Sequence, residues 1–421
     1  MKACTILVFN CGSSSLKFGF YIIESSLFDN DIDPQSFTET ILNESAPPET
    51  FQLKILLNGE IELVKEGVSQ FNVSDAEKLL LSEAVKIASY AEAAAHIIRY
   101  IAGFSTPKPQ VIAHRIVHGG QHLLQHCFIN DRVMRQLEAA ADFAPLHHQA
   151  AFDVIQYCKN IFANLPQVAC FDTAFHANLP DIAKQLPVDK NLRQQGIHRF
   201  GFHGLSCQSI LYQLADKQPQ KLIVAHLGGG CSVTAINNGQ SVDTSMGLSP
   251  SGGVMMGTRC GDIDPGVLIY LLRHKNYDLI KLDQLVNHQS GLLGVSGLSS
   301  DMRILHKAAD ENQDAKLAID LFCISIAKQI AAMATVLERL DALILTGGIG
   351  ENDDLIRVLI CKKLAFFGID IDVEKNKSIN ITNDFKVINS DKSSVNIIVC
   401  SSKESEQMAL ITFELMSDFN A

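Results

Sequence analysis

Three glycine-rich turns, each placed directly after a short apolar run, constrain this 421-residue chain more than any other feature. They span residues 10–17, 226–232 and 346–352. Glycine at the carboxyl end of a strand lets the backbone approach a ligand closely, and open α/β sheets bind their ligands at that edge. None of the turns has the G-x-x-x-x-G-K-[ST] or the G-x-G-x-x-G pattern. The three turns therefore predict a nucleotide site divided among separate loops.

The first turn combines hydroxyl groups with one lysine. Gly12 permits a tight turn, and Ser14 and its serine neighbours offer hydroxyl donors to phosphate oxygens. Lys17 adds positive charge nearby. Serine and glycine are also common in loops that bind nothing, so this turn alone leaves both interpretations open. The two later turns favour the phosphate site.

Apolar runs alternate with helical stretches along the chain, which predicts an α/β fold. Strands are expected at 5–9, 111–116, 168–171, 222–225, 342–345 and 396–400, and helices at 82–101, 315–340 and 405–416. The Asn237-Asn238-Gly239 turn predicts a hairpin within 223–243. This hairpin would repeat the arrangement that begins after Lys2. The chain is therefore expected to contain two similar halves.

Composition narrows the function. The net charge of -11 disfavours a nucleic-acid surface, because phosphate backbones require clustered Lys and Arg. We find no run of about 18 apolar residues and no signal segment, so we expect a protein that does not bind membranes. Eleven cysteines without CxxC pairs indicate reduced thiols. These features predict a cytoplasmic enzyme with a small anionic substrate.

Further motif blocks lie at 114–120, 144–147, 171–176, 201–204, 256–266 and 290–303. With the three turns, and in this order, the chain resembles the acetokinase family, a branch of the superfamily of sugar kinases, heat-shock chaperones and actin. Segments 22–78 and 372–396 match poorly. The resemblance implies two ribonuclease-H-like (actin-like ATPase) lobes with an interlobe cleft. Residues 1–172 with 405–421 would hold the carboxylate and phosphoryl site, residues 173–404 would bind the nucleotide, and the protein would be a homodimer.

The resemblance also implies reversible, direct in-line phosphoryl transfer from ATP to acetate, with Mg²⁺ or Mn²⁺. Acetate is already ionised at pH 7, so the site has to supply positive charge rather than a strong base. Guanidinium groups bind carboxylate and phosphoryl oxygens in pairs. The resemblance assigns these oxygens to Arg115 and Arg259.

The remaining site residues are also carried over from the resemblance. His203 would donate to the phosphoryl group in the transition state, although a histidine in a Phe-His-Gly turn is otherwise most often a loop residue with ordinary partners. Asn10, Asp172 and Glu404 would position the metal, with Glu406 open as an alternative to Glu404. The methyl pocket would comprise Val117, Leu146, Phe202 and Pro250, with His147 in the cleft. The nucleotide would contact Lys17, Ser14, His226, Leu227, Gly228, Gly229, Gly230, Gly347, Gly348, Ile349, Gly350 and Asn352.

Several alternatives stay open at this point. The β-branched Val117 favours acetate over propionate, yet a kinase of propionate or another short-chain carboxylate is possible, as is a nucleotide-dependent switch without catalysis. The simultaneous presence of Arg115, Arg259 and His203 favours the kinase. His114, His118, His122 and His126 have the spacing of a zinc-binding helical face, but two glycines interrupt it and residues 114–117 predict a strand. Residues 262–266 are expected to form a turn rather than a calcium loop.

Three positions depart from the family pattern. Gly229 stands where asparagine is common, Cys207 where histidine is common, and His148-Gln149 where Asn-Pro is common. The first of these removes a side-chain amide near the expected phosphates. None removes a charged residue on which the mechanism depends.

Overall fold

The computed structural model describes residues 3–12, 15–25, 51–63, 67–104, 107–143, 145–379 and 385–419. The chain divides into two compact units, residues 1–174 with 403–421 and residues 175–402. Glu404 therefore belongs to the first unit, whereas the sequence analysis placed it in the second. The reason is that Glu404 begins the last helix of the chain, which packs against the first sheet.

The first unit contains an eight-stranded sheet in the order β5-β4-β3-β2-β1-β6-β8-β7. Its strands are β1 (Ala3–Cys11), β2 (Ser15–Ser25), β3 (Phe51–Glu62), β4 (Ser69–Ser74), β5 (Leu79–Val85), β6 (Val111–Ile116), β7 (Cys127–Phe128) and β8 (Gln167–Phe171). Its helices are α1 (Tyr90–Ala102), α2 (Asp131–Ala140), α3 (Pro145–Ile161) and the last helix α15 (Glu404–Phe419), with a 3-10 turn at Ala141–Phe143.

The centre of this sheet is parallel and buried. β6 pairs in parallel with β1 on one side and with β8 on the other. β1 and β8 are buried along nearly their whole length, as expected of strands covered on both faces. Because the three strands run in the same direction, residues at their carboxyl ends lie along one edge of the sheet.

The second unit contains a six-stranded sheet in the order β11-β10-β9-β12-β14-β13. Its strands are β9 (Lys221–Leu227), β10 (Cys231–Asn237), β11 (Gln240–Thr244), β12 (Ala342–Thr346), β13 (Phe385–Val387) and β14 (Asn396–Cys400). Its helices are α4 (Asp181–Lys184), α5 (Lys190–Gln194), α6 (Gly204–Leu214), α7 (Pro265–His274), α8 (Leu279–His288), α9 (Gly291–Ser296), α10 (Met302–Ala308), α11 (Gln313–Leu337), α12 (Gly347–Asn352), α13 (Asp354–Lys363) and α14 (Val373–Lys377).

The two sheets share one arrangement. Across the first sheet, five neighbouring strands lie in the order β3-β2-β1-β6-β8. Across the second sheet, the order β11-β10-β9-β12-β14 repeats this pattern when the strands of each sheet are matched in chain order. The expected hairpin forms between β10 and β11, where Asn238 and Gly239 both have positive φ angles of 48° and 76°. Such angles match the twist of a two-residue hairpin turn. The prediction of two similar α/β halves is confirmed.

One predicted helix boundary is wrong. Residues 82–85 were expected to begin a helix, but they lie in β5, which pairs with β4. The helix α1 begins only after Ser89, whose side chain accepts a hydrogen bond from the backbone N–H of Glu92. The strand forms because Leu79, Leu81 and neighbouring residues pair across the sheet, and this pairing outweighs their helical propensity.

Helix α11 is long and apolar enough to cross a membrane by length and composition alone, which the sequence analysis did not anticipate. Its buried residues include Ile319, Phe322 and Ile326, and the helix packs against β9 and β10. Packing in the core of the second unit therefore accounts for its apolar composition.

Candidate active site

In the first unit, the ends of three parallel strands bring together four of the predicted residues. Asn10 lies near the end of β1, Arg115 near the end of β6, and Asp172 directly after β8. Glu404 is the first residue of α15, which packs against β1 and β6. The sheet register sets these positions, since Phe9 pairs with His114 and Arg115 pairs with Cys170.

Arg115 is the centre of this cluster. Its Nε donates to Asp172 Oδ1 at 3.0 Å, and its Nη2 donates to Asp172 Oδ2 at 2.6 Å. Its Nη1 donates to Asn10 Oδ1 at 3.0 Å and lies 3.3 Å from Glu404 Oε2. Asn10 completes the ring by donating from Nδ2 to Glu404 Oε2 at 3.0 Å. The two-pronged contact with Asp172 is the strongest geometry that a guanidinium and a carboxylate adopt.

Burial makes this cluster stiff. Asp172 is 1% exposed and Asn10 is 5% exposed. Burial would lower the pKa of Arg115, but the charges of Asp172 and Glu404 outweigh it and hold this pKa above its ordinary value. Arg115 is therefore a permanent cation that neutralises its neighbours.

The first glycine-rich turn lies at the same edge. Lys17 is exposed and pairs with Asn10 across the β1–β2 hairpin. Within the turn, Gly12 N donates to Ser15 O at 2.9 Å. The hydroxyl of Tyr90, the first residue of α1, donates to Gly12 O at 2.7 Å. Ser14 lies outside the described residues. Sequence analysis missed Tyr90, because nothing near it in the sequence connects it to the turn.

The residues predicted to hold the acetate methyl group are divided between the two units. Val117 is 8% exposed in the first unit, and Phe202 is 1% exposed in the second. Pro250 is half-buried in the second unit. The backbone of Leu146 and His147 is part of α3, but their side chains lie outside the described atoms. A shared methyl pocket stays a prediction.

In the second unit, the second and third glycine-rich turns approach each other closely. Gly347 has a φ of 78°, and a Cβ atom there would lie 2.7 Å from the carbonyl oxygen of Leu227. A Cβ atom on Gly228 would lie 3.7 Å from the backbone nitrogen of Gly348. Only glycine fits at position 347, since a side chain there would meet both strain and a backbone clash. The predicted nucleotide residues of these turns, Gly228, Gly230, Gly347, Gly348 and Ile349 among them, therefore lie side by side.

His203 faces the second turn. It adopts a left-handed conformation with a φ of 58° directly before α6. Its Nδ1 lies 3.0 Å from Ser232 Oγ, and its ring stacks on that of His226 with the ring centres 4.2 Å apart. A non-glycine residue with positive φ is uncommon, and such strain concentrates at functional sites.

Arg259 and His203 both lie next to Gly230 of the second turn. A Cβ atom on Gly230 would lie 3.2 Å from Arg259 Nη1 and 3.3 Å from His203 Nε2. Arg259 Nη1 also donates to the carbonyl oxygen of Pro250 at 3.3 Å. Two nitrogen groups from distant parts of the chain thus converge on Gly230. A side chain at position 230 would press on both nitrogen groups and shift them by a few tenths of an ångström.

Two further residues that sequence analysis did not single out stabilise the third turn. Glu351 Oε1 accepts from the backbone nitrogen of Gly347 at 3.0 Å. Arg357 is 1% exposed and donates from Nη1 to the carbonyl oxygens of Gly350 and Glu351, each at 2.9 Å. Burial lowers the pKa of Arg357. Glu351 could have been chosen from its place inside the third turn, whereas an arginine in a helix gives no such signal.

The departures from the family pattern occupy different surroundings. Gly229 is exposed, and a Cβ atom there would meet nothing within 4 Å. Cys207 is 1% exposed and packs from α6 into the core of the second unit. His148 is 2% exposed, and burial lowers its pKa. A side chain at position 229 would therefore start in open space.

Four of the side chains considered as alternative metal ligands make hydrogen bonds to neighbouring protein groups. His114 lies in β6, as its neighbours predicted, and its Nε2 lies 2.7 Å from Gln167 Oε1. His118 Nδ1 accepts from Gly120 N, and His126 Nδ1 accepts from Phe171 N. Asp264 caps the start of α7 through the backbone nitrogen of Gly266. Each of these side chains therefore stabilises the fold around it.

Comparison with known proteins gives a consistent picture. The sequence profile of the Acetokinase family matches residues 5–410. The chain is similar to the acetate kinase of Campylobacter jejuni subsp. jejuni, with 36% identity, covering 98% of this chain and 100% of the relative. It is similar to the acetate kinase of Shewanella sp. (strain W3-18-1), with 39% identity and 95% coverage of each. The crystal structure of a propionate kinase from Francisella tularensis subsp. tularensis is also similar, with 35% identity, a TM-score of 0.81 and coverage of 97% and 98%.

Proposed function

Because the chain belongs to the acetokinase family, we propose that it transfers the γ-phosphoryl group of ATP to acetate and forms ADP and acetyl phosphate, reversibly. The reaction is that of a phosphotransferase with a carboxyl group as acceptor. The observation that carries the proposal is the convergence of Arg259 Nη1 and His203 Nε2 on Gly230. Fixed guanidinium and imidazole donors of this kind stabilise the charge of a transferring phosphoryl group.

The chemistry follows from charge. Acetate attacks as a carboxylate and needs no base, so the obstacle is repulsion between two anions. The transferring group spreads its negative charge over equatorial oxygens in the transition state. A guanidinium and an imidazole donor held at one glycine stabilise that charge without rearranging. The backbone N–H groups of the two adjacent glycine-rich turns supply further donors for the ATP phosphates.

The donor set of the first unit fits Mg²⁺. Magnesium binds oxygen ligands, commonly one or two carboxylates, and keeps several waters. Asp172 and Glu404 supply two carboxylates with one arginine between them, which leaves a net negative charge. Asp172 and Glu404, with Asn10 beside them, are the residues that would hold the metal. When bound, the metal neutralises phosphate oxygens of ATP.

Acetate is the proposed acceptor, and propionate the second candidate. Val117 is buried directly after β6, two residues beyond Arg115, and a branched side chain in the proposed methyl pocket would limit the space beyond a methyl group. One methylene in an apolar pocket changes specificity by about 10–200-fold. Propionate should therefore be a poorer substrate that is still used. The resemblance to a propionate kinase gives this candidate its support.

The decisive experiment traps the product. Purified protein with ATP, Mg²⁺, acetate and hydroxylamine should form acetohydroxamate, and omission of acetate should abolish it. Replacing acetate by propionate measures the second candidate in the same assay. A folded protein that hydrolyses ATP and yields no hydroxamate with either acid would contradict the proposal.

We also propose that the protein forms a homodimer through α7 and α8. Neither helix contains a buried residue, although both are rich in apolar side chains. Ile269, Tyr270, Leu279 and Ile280 are each 48% or more exposed. Contiguous exposed apolar side chains mark an interaction surface, and a second copy is the partner that the family resemblance implies. Light scattering should show a dimer for the wild type and a monomer for Ile269→Glu/Leu279→Glu; a monomeric wild type would contradict the proposal.

A further inference from the structure

A chain of hydrogen bonds leads from residues 401–402 to the ring of His226. At its start, Glu351 Oε1 accepts from the backbone nitrogen of Ser402 at 3.0 Å. Glu351 Oε2 accepts from Ser401 Oγ at 2.8 Å. The carboxylate also accepts from Gly347 N, so Glu351 connects this peptide to the third glycine-rich turn. The position of Ser402 is therefore set by hydrogen bonds to one side chain that is itself held in place.

Two hydroxyl groups continue the chain. Ser402 Oγ lies 3.1 Å from Ser206 Oγ, and Ser206 Oγ lies 2.9 Å from His226 Nδ1. Ser206 is fully buried, at 0% exposed. A buried hydroxyl that lost one of these partners would carry the cost of an unsatisfied polar group.

The protons can be arranged along the chain in two orders. A serine hydroxyl carries one proton and accepts through its lone pairs. In the first order, Ser402 donates to Ser206, Ser206 donates to His226 Nδ1, and the ring proton of His226 lies on Nε2. In the second order, His226 Nδ1 donates to Ser206, Ser206 donates to Ser402, and the proton of Ser402 points out of the chain. In the structure the Ser402 hydroxyl donates to Ser206, which is the first order.

The other side of the His226 ring favours the same order. A Cβ atom on Gly228 would lie 3.8 Å from His226 Nε2, so this nitrogen faces the second glycine-rich turn. Phosphate oxygens bound there would accept hydrogen bonds and donate none. The first order places a proton on Nε2 and makes it a donor. The second order would present a lone pair to an anion.

We infer that Ser206, held in place by Ser402 and Glu351, is a positioning residue that keeps His226 in the Nε2–H tautomer and thereby makes its ring a hydrogen-bond donor to the phosphates of ATP. The tautomer itself follows from the contacts of the protein alone. Only the role toward the phosphates rests on the proposed function. The two parts can therefore be tested separately.

The tautomer is measured by nuclear magnetic resonance on the full chain labelled with ¹⁵N-histidine. Long-range proton–nitrogen correlations distinguish Nδ1–H from Nε2–H, and His226→Gln identifies the signals of His226. The wild type should show Nε2–H without added ligand. Ser206→Ala should give a mixture of tautomers, and Ser206→Thr, which keeps the hydroxyl, should restore the wild-type pattern. Nδ1–H in the wild type, or an unchanged tautomer in Ser206→Ala, would overturn the inference.

Kinetics test the second part. Ser206→Ala should raise KM for ATP by about tenfold, the effect of losing one hydrogen bond to a charged group, with KM for acetate unchanged. The matched control is Ser209→Ala, which removes another buried hydroxyl from α6 whose partner is the carbonyl oxygen of Ser206. This control should leave both the tautomer and KM for ATP as they are. Equal effects of the two variants on KM would overturn the role of the hydrogen-bond chain.

The outcomes also separate this inference from the proposed function. A lost tautomer with an unchanged KM for ATP would overturn the phosphate role and leave the kinase intact. Absence of hydroxamate formation in the wild type would overturn the kinase and leave the tautomer result valid. Ser402→Ala interrupts the chain one step earlier, at a half-buried residue, and gives the same measurements if Ser206→Ala does not fold.

Discussion

The two units have the same central strand order but present different chemistry at the ends of their strands. In the first unit, β1, β6 and β8 end in charged or amide side chains, namely Asn10, Arg115 and Asp172. In the second unit, β9 and β12 end in runs of glycine. The equivalent edge of a similar sheet therefore offers fixed side-chain charges in one case and glycine backbone in the other.

The two arginines show the same contrast. Arg115 contacts two carboxylates and belongs to a cluster that keeps one net negative charge. Arg259 donates to a backbone carbonyl and lies beside His203 at Gly230. A cation held by carboxylates stabilises the fold and places its neighbours. A cation beside a glycine-rich turn is available to stabilise charge on a ligand.

The largest expected effect tests this contrast directly. Arg259→Ala should lower kcat by about 10²–10⁵-fold with little change in thermal stability, because it removes a preorganised charge from the site. Arg115→Ala should also lower kcat by a similar factor, and in addition it should destabilise the protein, because two carboxylates would lose their partner. Hydroxamate formation and thermal unfolding on both variants separate the two roles. A destabilised Arg259→Ala protein, or a fully stable Arg115→Ala protein, would contradict the distinction.

The next effect concerns the buried ion pair. Asp172→Asn should destabilise the first unit by about 3–5 kcal/mol, because it removes one partner of a pair in which Asp172 is 1% exposed. It should also raise the Mg²⁺ concentration needed for activity. The matched control is Asp301→Asn, which breaks the exposed pair with Arg303 and should cost about 0–1 kcal/mol. Denaturant unfolding measures both, and equal losses would show that the buried cluster has no special stability.

The family resemblance named the site residues that lie at strand ends, and the apolar runs predicted the strands that carry them. The register of parallel strands places Asn10, Arg115 and Asp172 at one edge, and the glycine runs mark the equivalent edge of the second sheet. Contacts made by residues far apart in sequence could not be predicted in this way. Tyr90 reaches Gly12, and Ser206 reaches Ser402, only because packing brings separate elements together.

The helix expected at 82–101 shows a second limit. Its first residues pair with β4 instead, and cross-strand pairing of this kind is not encoded in local propensity. The unit to which Glu404 belongs was also misplaced, because its assignment depends on where α15 packs. Local patterns therefore predicted elements and strand ends, while tertiary packing decided boundaries and supporting contacts.

A pH dependence should appear in both units. Burial lowers the pKa of His114 in the first unit and of His176 in the second, each to about 4. Below a pH of about 6.5 the unfolded chain binds a proton at each position and the folded chain does not, so stability falls as pH decreases from 6.5 toward 4. Each histidine should contribute a loss on the order of 2–3 kcal/mol. Unfolding curves at pH 7, 5.5 and 4.5 for the wild type, His114→Gln and His176→Gln measure how the free energy of unfolding depends on pH. If a folded variant keeps the pH dependence of the wild type, the replaced histidine does not contribute to it.

The smallest expected effect is a change in KM for ATP at Gly229, and Gly347 of the same unit is its comparison. Gly229→Asn introduces the side chain that is common in the family, at an exposed position where a Cβ atom meets nothing within 4 Å. The added amide can donate to phosphate oxygens, so KM for ATP should fall by less than about threefold, with stability and kcat unchanged. Gly347→Ala, in contrast, places a Cβ atom 2.7 Å from Leu227 O at a φ of 78°, and should destabilise the unit by about 1–3 kcal/mol. Steady-state kinetics and thermal unfolding on the two variants decide the comparison. A stable Gly347→Ala protein with an unchanged KM would show that close approach of the two turns is not needed for nucleotide binding, and a higher KM in Gly229→Asn would place the phosphates elsewhere.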